Sequence, residues 1–549
     1  MKALLFEGLP GGQNVDDHST FASGTNVYRE GVIKALFRYG TYDAYFFLQR
    51  TPLLSEKQDL DHLEQRARII TPNELQQLDA CDDVVLFTPA PYINSLVSLR
   101  STPNAAHWIA NGVVHSLDGW SFPFLPLSLL NSDVDEADSL LCSTRAGKEV
   151  VEKLFDAFSP SDGLITNKET IRVRPKRPSL PVIPLGIECQ AFGQVDRQKV
   201  RSSFGASENA TIITYVGRIS PISKCDLLPL FHVVARIFQS HPEIRLIIAG
   251  DDTQHRMAEF LESAAQVLGC GSCITILPDI EEDQKISLLN AADIFLSPSD
   301  NIQETFGLSI VEAMASALPV IASDWNGYKE LVTHGETGFL IPTYWLPFDQ
   351  ALDRLASTSF RFRNAVLAAS TVIDLDGLEH YLRLLIERPD LRKAMGQLGR
   401  RHALEKYDWS NIIKAYEDVW NDGLLKSKAL RKGRSNFANC PPHYHSQEIF
   451  SHYPTKKLSY IDVVEITAAG RNVLDDDGAA ELTLNPSGFN DLTLVRRLLE
   501  IANHGGPSSI ADLTKHLMQQ TSVTQPMASI TITSSLKYGF LRLEQNSLQ

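Results

Sequence analysis

Short apolar, β-rich runs alternate with helix-length segments along most of this chain, and no other feature restricts its fold as much. From Lys2 to about Leu185 the runs read ALLF, YDAYFFL, DVVLF, SLLCS and PVIPL. Alternation of this kind predicts a parallel sheet wrapped by helices. A second set begins near Ala210 with TIITYVG, IRLIIAG, CITIL, DIFLSPS and LPVIASD. These runs are almost continuously apolar, as parallel strands buried on both faces require. The expectation is two doubly wound α/β domains in tandem, with a ligand crevice between them at the carboxyl ends of the strands.

From Leu367 to about Leu424 apolar residues recur at three and four, the helical period. The stretch SKALRKGRSNFANCPPHYH that follows is basic, polar and Pro-containing, and reads as a linker. Further on, Leu492–Asn503, Ser509–Gln519 and Met527–Lys537 read as helices, and KYGFLRLE as a turn into a strand. The expected organisation is therefore a first Rossmann-like domain at 1–190 and a second at 191–375. Helices follow at 376–424, then a linker at 425–449 and a small α+β domain, winged-helix-like, at 450–549. No repeat of fixed period is visible.

At 549 residues the chain is long enough for several full cores and needs no disulfide staples. Its seven cysteines are odd in number and scattered, which suits a reducing, cytoplasmic setting. No stretch approaches the ~18 apolar residues of a membrane span, although peripheral contact with a membrane stays open. The net charge of −15 argues against a general nucleic-acid binder. It allows a local basic pocket for a small anion.

Two segments carry candidate chemistry. In ETFGLSIVEAMASALPVIASDWNGYKELV, the run from Glu304 opens a helix with Gly307 in its first turn, where unpaired N–H groups favour a phosphate. Glu304 and Glu312, eight residues apart, would share a helical face, and carboxylates beside a cleft accept sugar hydroxyls. In YVGRISPISK a strand ends at Gly217, which lets a ligand approach the backbone, and Arg218 and Lys224 follow as cations suited to a diphosphate. Taken singly, each segment reads equally well as a solvated helix face or a pair of surface cations. Their occurrence together, in order, in one domain favours the site.

These residues resemble those of a retaining glycosyltransferase of the GT-B fold, in the large nucleotide-sugar-dependent family 4. VGR with a following Lys, SPSDNIQETFGLSIVEAMASALPVIASDWNGYKELV and THGETGFLIPT carry the resemblance, with VIPLGIE and ADSLLCSTRAGKEVV in support. It spans roughly residues 1–424 and is stronger in the second domain. It implies that Arg218 and Lys224 hold the donor diphosphate and stabilise the leaving group. Glu304 would lie by the donor sugar, the backbone of Phe306, Gly307 and Leu308 would face phosphate or sugar, and Glu312 would bind the ribose. Gly24 would mark a close backbone approach before the first helix, and His115 a position near the reacting carbon; His107 has the weaker claim. Two departures stand out. Five residues separate Arg218 from Lys224 where four are usual, and Ala317 stands where Gly is common.

The implied reaction transfers a hexosyl group from a UDP- or GDP-sugar, with retention, to a saccharide, lipid-linked, small-molecule or peptide acceptor. It needs no cofactor and no metal, because Arg218, Lys224 and helix dipoles supply positive potential. The alternatives are a catalytically silent nucleotide-sugar scaffold or sensor acting through the C-terminal module, and an epimerase or hydrolase on the same fold. From Asp491 onward, Arg496, Arg497, Lys515, Lys537 and Arg542 oppose Asp491, Glu500, Asp512 and Glu544. That balance leaves no basic footprint for DNA and favours a protein partner or self-association. Cys270 and Cys273 lack the second pair that a zinc site wants, and Cys440, His443 and His445 form a weak CPPHYH candidate.

Overall fold

The computed structural model describes residues 1–7, 24–48, 66–101, 105, 107–117, 122–130, 132–158, 164–166, 169–171, 177–193, 197–204, 207, 209–253, 256–345, 360–431, 458–475 and 492–544. The boundary between two compact units, 1–45 with 81–441 and 46–80 with 442–549, falls inside the second strand. Cys440, His443 and His445 lie outside the described residues.

The first sheet is built from β1 (Lys2–Glu7), β2 (Ala44–Leu48), β3 (Ala67–Ile70), β4 (Asp83–Phe87), β5 (Ile109–Val114) and β6 (Ser139–Cys142), in the order β3-β2-β1-β4-β5-β6. The pairs β1–β4, β4–β5 and β5–β6 are parallel. Helices α1 (Gly24–Tyr39) and α2 (Arg145–Phe158) belong to this domain, as does a short hairpin of β7 (Leu164–Thr166) and β8 (Glu169–Ile171). The run PVIPL forms no strand; Val182 makes a single parallel bridge to Cys142. Pro181 and Pro184 remove two of the N–H donors a ladder needs. Strand β5 carries Asn111 and Gly112, which dilute its β signal. Gly112 is required there because a Cβ would lie 2.4 Å from the Ala90 carbonyl oxygen.

The second sheet repeats the arrangement. Strands β9 (Thr211–Val216), β10 (Ile244–Gly250), β11 (Ile274–Pro278), β12 (Ile294–Ser297), β13 (Val320–Ser323) and β14 (Gly338–Ile341) are ordered β11-β10-β9-β12-β13-β14, all parallel. Crossover helices include α3 (Leu228–Ser240), α4 (Ala258–Val267), α5 (Glu282–Ala291) and α6 (Leu308–Ala315). In both sheets the strand order reverses between the first and fourth strand, which opens a crevice at their carboxyl ends. At the second crevice, β9 lies beside β12.

A short antiparallel pair joins β15 (Thr343–Trp345) to β16 (Thr371–Ile373), and β16 falls within the stretch from Leu367 expected to be helical. Helices α7 (Leu375–Glu387), α8 (Pro389–Lys406) and α9 (Trp409–Leu430) follow. The last returns to the first domain. Tyr416 and Tyr28 hydroxyls lie 2.8 Å apart, and the Trp420 ring sits 5.2 Å from Phe87. The Trp409 indole covers Gly186, where a Cβ would come within 2.4 Å of it. Just past the helix, Arg431 pairs with Asp135 at 2.7 Å and Asp138 at 3.3 Å, all fully buried beside Arg100.

The C-terminal module has its own core. Its antiparallel sheet, β18 (Ser508–Ser509), β17 (Val463–Ile466) and β19 (Leu541–Leu543), has β17 in the middle. Its helices are α10 (Ala468–Asp475), α11 (Leu492–Gly505), α12 (Ile510–Thr521) and α13 (Gln525–Lys537). Along the chain these elements run β17-α10-α11-β18-α12-α13-β19. Among the described residues, no helix is long and apolar enough to cross a membrane.

Candidate donor-binding site

The loops that leave β9 and β12 are tied together by polar contacts. Ser299 donates its hydroxyl to the Lys224 carbonyl at 3.0 Å, and the Asn301 amide donates to the Ile222 carbonyl. From the loop after β13, the Trp325 indole N–H donates to the Asn301 carbonyl at 2.9 Å, and the Asn326 amide donates to the Glu304 carbonyl. A loop held on this many backbone atoms presents its side chains in fixed positions.

Lys224 and Glu304 meet at the centre of this frame. The ammonium donates to Glu304 Oε2, and Tyr328 donates its hydroxyl to the same oxygen at 3.2 Å. The Tyr328 hydroxyl is also 2.8 Å from that of Ser297, at the end of β12. Burial alone would raise the Glu304 pKa. The charge and hydrogen bond of Lys224, the Tyr328 hydroxyl and the nearby Arg218 outweigh burial and hold it below its ordinary value. Glu304 therefore stays ionised. Arg218 is fixed through its backbone, whose carbonyl accepts from the Tyr215 hydroxyl at 3.0 Å. Its guanidinium makes no hydrogen bond or ion pair among the described residues.

Gly217 also makes room for a side chain of the site. A Cβ there would touch Lys224 Cε at 3.0 Å and the Tyr215 hydroxyl at 3.1 Å, so the glycine leaves room for the lysine stem. The two Glu need correction. The helix begins only at Leu308, with Gly307 at φ 109° as its N-cap, and Glu304 precedes it in the loop. Helical periodicity therefore does not place Glu304 and Glu312 on one face. Glu304 goes to Lys224, whereas Glu312 Oε1 accepts from Lys285 Nζ, on α5, at 2.7 Å. Lys285 also pairs with Glu282 at 2.9 Å. The Phe306 ring is buried, 5.9 Å from that of Tyr407, which leaves only its backbone to meet a ligand. Gly24 is the first residue of α1, and Leu308 the first of α6.

His115 lies just past β5. Its Nε2 is 2.7 Å from the Pro89 carbonyl oxygen, and its own carbonyl accepts from the Thr305 hydroxyl at 2.5 Å. This places it beside the Glu304 loop, across the interface of the two Rossmann-like domains. Thr144 donates to the Thr305 carbonyl at 3.0 Å, and the Ala146 N–H donates to Glu330 at 3.0 Å across the same interface. His107 is elsewhere, its carbonyl taken by Ser427 of α9 at 2.8 Å.

Sequence reasoning did not single out Lys285, Tyr328 or Thr305. Tyr328 and Thr305 stand inside the motif already quoted. Lys285 had no local signal, because a lysine on an amphipathic helix usually faces water. Among the described residues no group of three His, Cys, Asp or Glu side chains could hold a metal. Cys270 and Cys273 are both buried in the core of the second domain.

Two parallel sheets of one strand order, joined so that the last helix packs on the first domain, define the GT-B class of fold. Residues 196–366 match the family described as Glycosyl transferases group 1. D-inositol 3-phosphate glycosyltransferase of Mycobacterium sp. (strain KMS) is 28% identical over 255 residues, covering 46% of this chain and 50% of that protein. The protein of the same name in Rhodococcus jostii (strain RHA1) is 28% identical over 361 residues, 62% of this chain and 68% of its own. The chain thus spans about half the length of the first curated relatives it matches. Sucrose-phosphate synthase from Thermosynechococcus elongatus superposes with a TM-score of 0.54 at 18% identity, over 78% of this chain and 100% of its own. Anabaena HepE, solved in complex with UDP, gives 0.52 at 16%, over 77% and 100%. At such identities the likeness is one of fold.

Proposed function

We propose that this chain is a retaining glycosyltransferase that moves a hexosyl group from a nucleotide diphosphate sugar, UDP- or GDP-linked, to an acceptor bound by the first domain. The observation that carries the proposal is the convergence of Arg218, Lys224 and Glu304 at the β9/β12 crevice, beside the N-terminus of α6. The guanidinium and the ammonium, with the helix N-terminus, offer the diphosphate positive charge where it develops on departure. These charges take the place of a divalent metal. Glu304, ionised and anchored, accepts donor-sugar hydroxyls, and Glu312 accepts those of the ribose. The acceptor attacks the face from which the diphosphate leaves, so no protein nucleophile is required. His115 approaches the same loop from the first domain and would border the acceptor.

The relatives named for D-inositol 3-phosphate make a phosphorylated polyol a reasonable first acceptor to try, and the UDP complex of HepE makes UDP the first nucleotide. The test is calorimetric titration of the purified chain with UDP, GDP and ADP and their glucose, GlcNAc and mannose conjugates, without added metal. Selective binding of one nucleotide, weakened by Arg218→Ala and Glu312→Ala, supports the assignment. A folded protein that binds none of them would overturn it for these donors.

A further inference from the structure

Glu312 is 6% exposed, and its two carboxylate oxygens are in different situations. Oε1 is committed to Lys285 Nζ at 2.7 Å. Oε2 accepts no hydrogen bond among the described residues, yet it is not among the polar atoms sealed from solvent without a partner. Lys285 is itself tethered on its outer side by Glu282, at 2.9 Å, whose side chain is 57% exposed. The ammonium thus sits between a carboxylate at the surface and one in the interior. Its pKa is nonetheless raised: burial would lower it, and the charges of Glu312 and Glu282 outweigh burial.

The elements that carry this chain of charges are rigid. Lys285 is in the first turn and a half of α5, whose start is fixed by a reciprocal pair between Glu281 and Gln284. Glu312 is in the middle of α6, where Ile310, Val311, Ala313 and Met314 on either side of it are buried. A free buried glutamate would swing between rotamers and demand a proton or a counter-ion. Lys285 removes both freedoms.

We propose that Lys285 is a positioning residue for the donor nucleotide: by holding Oε1 it turns the single free oxygen of Glu312, Oε2, toward the ribose hydroxyls. The inference rests on the donor-site reading above. It makes ribose recognition depend on a residue on a separate helix, 27 positions upstream of the carboxylate.

The experiment compares each nucleotide with its 2′,3′-dideoxy form. Full-length wild type, Lys285→Gln, Glu312→Gln and the double variant Lys285→Met/Glu312→Gln are titrated with UDP, GDP and the two dideoxy analogues. Wild type should prefer the ribonucleotide it binds over the analogue, and Lys285→Gln should lose about tenfold of that preference. Binding of the dideoxy form should change little. The double variant removes both charges and so leaves no unpaired buried ion. It should bind no more weakly than Glu312→Gln alone, because a residue that acts only through Glu312 has nothing left to act on. An equal loss for ribo and dideoxy forms, an unchanged preference in Lys285→Gln, or a further loss in the double variant overturns the inference. If wild type binds no nucleotide, the donor-site reading falls and takes this inference with it. If wild type binds and the preference survives in Lys285→Gln, only the inference falls.

Discussion

Lys224 and Glu304, 80 residues apart in sequence, form one part-buried ion pair at the carboxyl ends of β9 and β12. Lys224→Met leaves the part-buried Glu304 carboxylate without its main counter-ion. It should destabilise the fold by about 3 kcal/mol, read by chemical denaturation. The double variant Lys224→Met/Glu304→Gln should regain most of that loss while remaining inactive.

Arg218 presents the opposite case. Its guanidinium has no partner among the described residues, so Arg218→Ala should leave the melting temperature nearly unchanged. Turnover should fall by ~10²–10³, the effect of losing one preorganised charge on a leaving group. Thermal melts alongside steady-state kinetics test the split between stability and rate.

Asp300 predicts a pH dependence of stability. Its Oδ2 accepts from the Asp226 N–H at 3.1 Å, while its buried Oδ1 has no hydrogen-bond partner among the described residues. Burial is the main cause that raises its pKa, to about 7. The folded state therefore binds this proton more tightly than the unfolded state. The group's stabilising contribution is full below the unfolded value near 4 and is lost as pH rises through about 7. Asp300→Asn should flatten the fall in melting temperature between pH 5 and 8. Above pH 7.5 it should raise stability by about 1–3 kcal/mol. An unchanged slope in the variant would rule out Asp300 as its source.

Ala317 explains the departure seen in its motif. It sits at φ 60°, where a side chain is strained, immediately after the C-cap of α6. Ala317→Gly should stabilise the domain by about 0.5–1 kcal/mol. Gly396→Ala should do the reverse by about 2 kcal/mol or more, since its Cβ would lie 1.9 Å from the Ala317 carbonyl oxygen. Denaturant midpoints of the two variants give both numbers.

Arg431 should be among the most sensitive positions in the first domain. Arg431→Met strips Asp135 and Asp138 of a shared partner in a dry core, with an expected loss of about 3–5 kcal/mol in equilibrium unfolding.

Both sheets were legible because buried parallel strands leave apolar runs that few other structures produce; DVVLF and IRLIIAG are each a strand in place. In the C-terminal module α11, α12 and α13 read off their periodicity to within a few residues, whereas α10 did not. What escaped was set by distant partners. β5 reads poorly because Gly112 is dictated by the Ala90 carbonyl, and β16 is three residues long. The Arg218, Lys224 and Glu304 cluster was approached through spacing and resemblance. Yet the spacing of the two Glu was read as helical when half of it is loop. Lys285 illustrates the limit most clearly: its environment is created by α6, and nothing within α5 hints at it.

The return of α9 to the first domain has a consequence for the order in which the chain is made. The strands that receive Trp420 and Arg431 leave the ribosome long before those residues exist. At ~5–20 residues per second, the wait is some tens of seconds. Throughout that interval Asp135 and Asp138 have no Arg431 and Phe87 has no indole against it, while the donor domain, synthesised in between, has all of its own sheet once Ile341 is made. The first domain is therefore completed only after the donor domain.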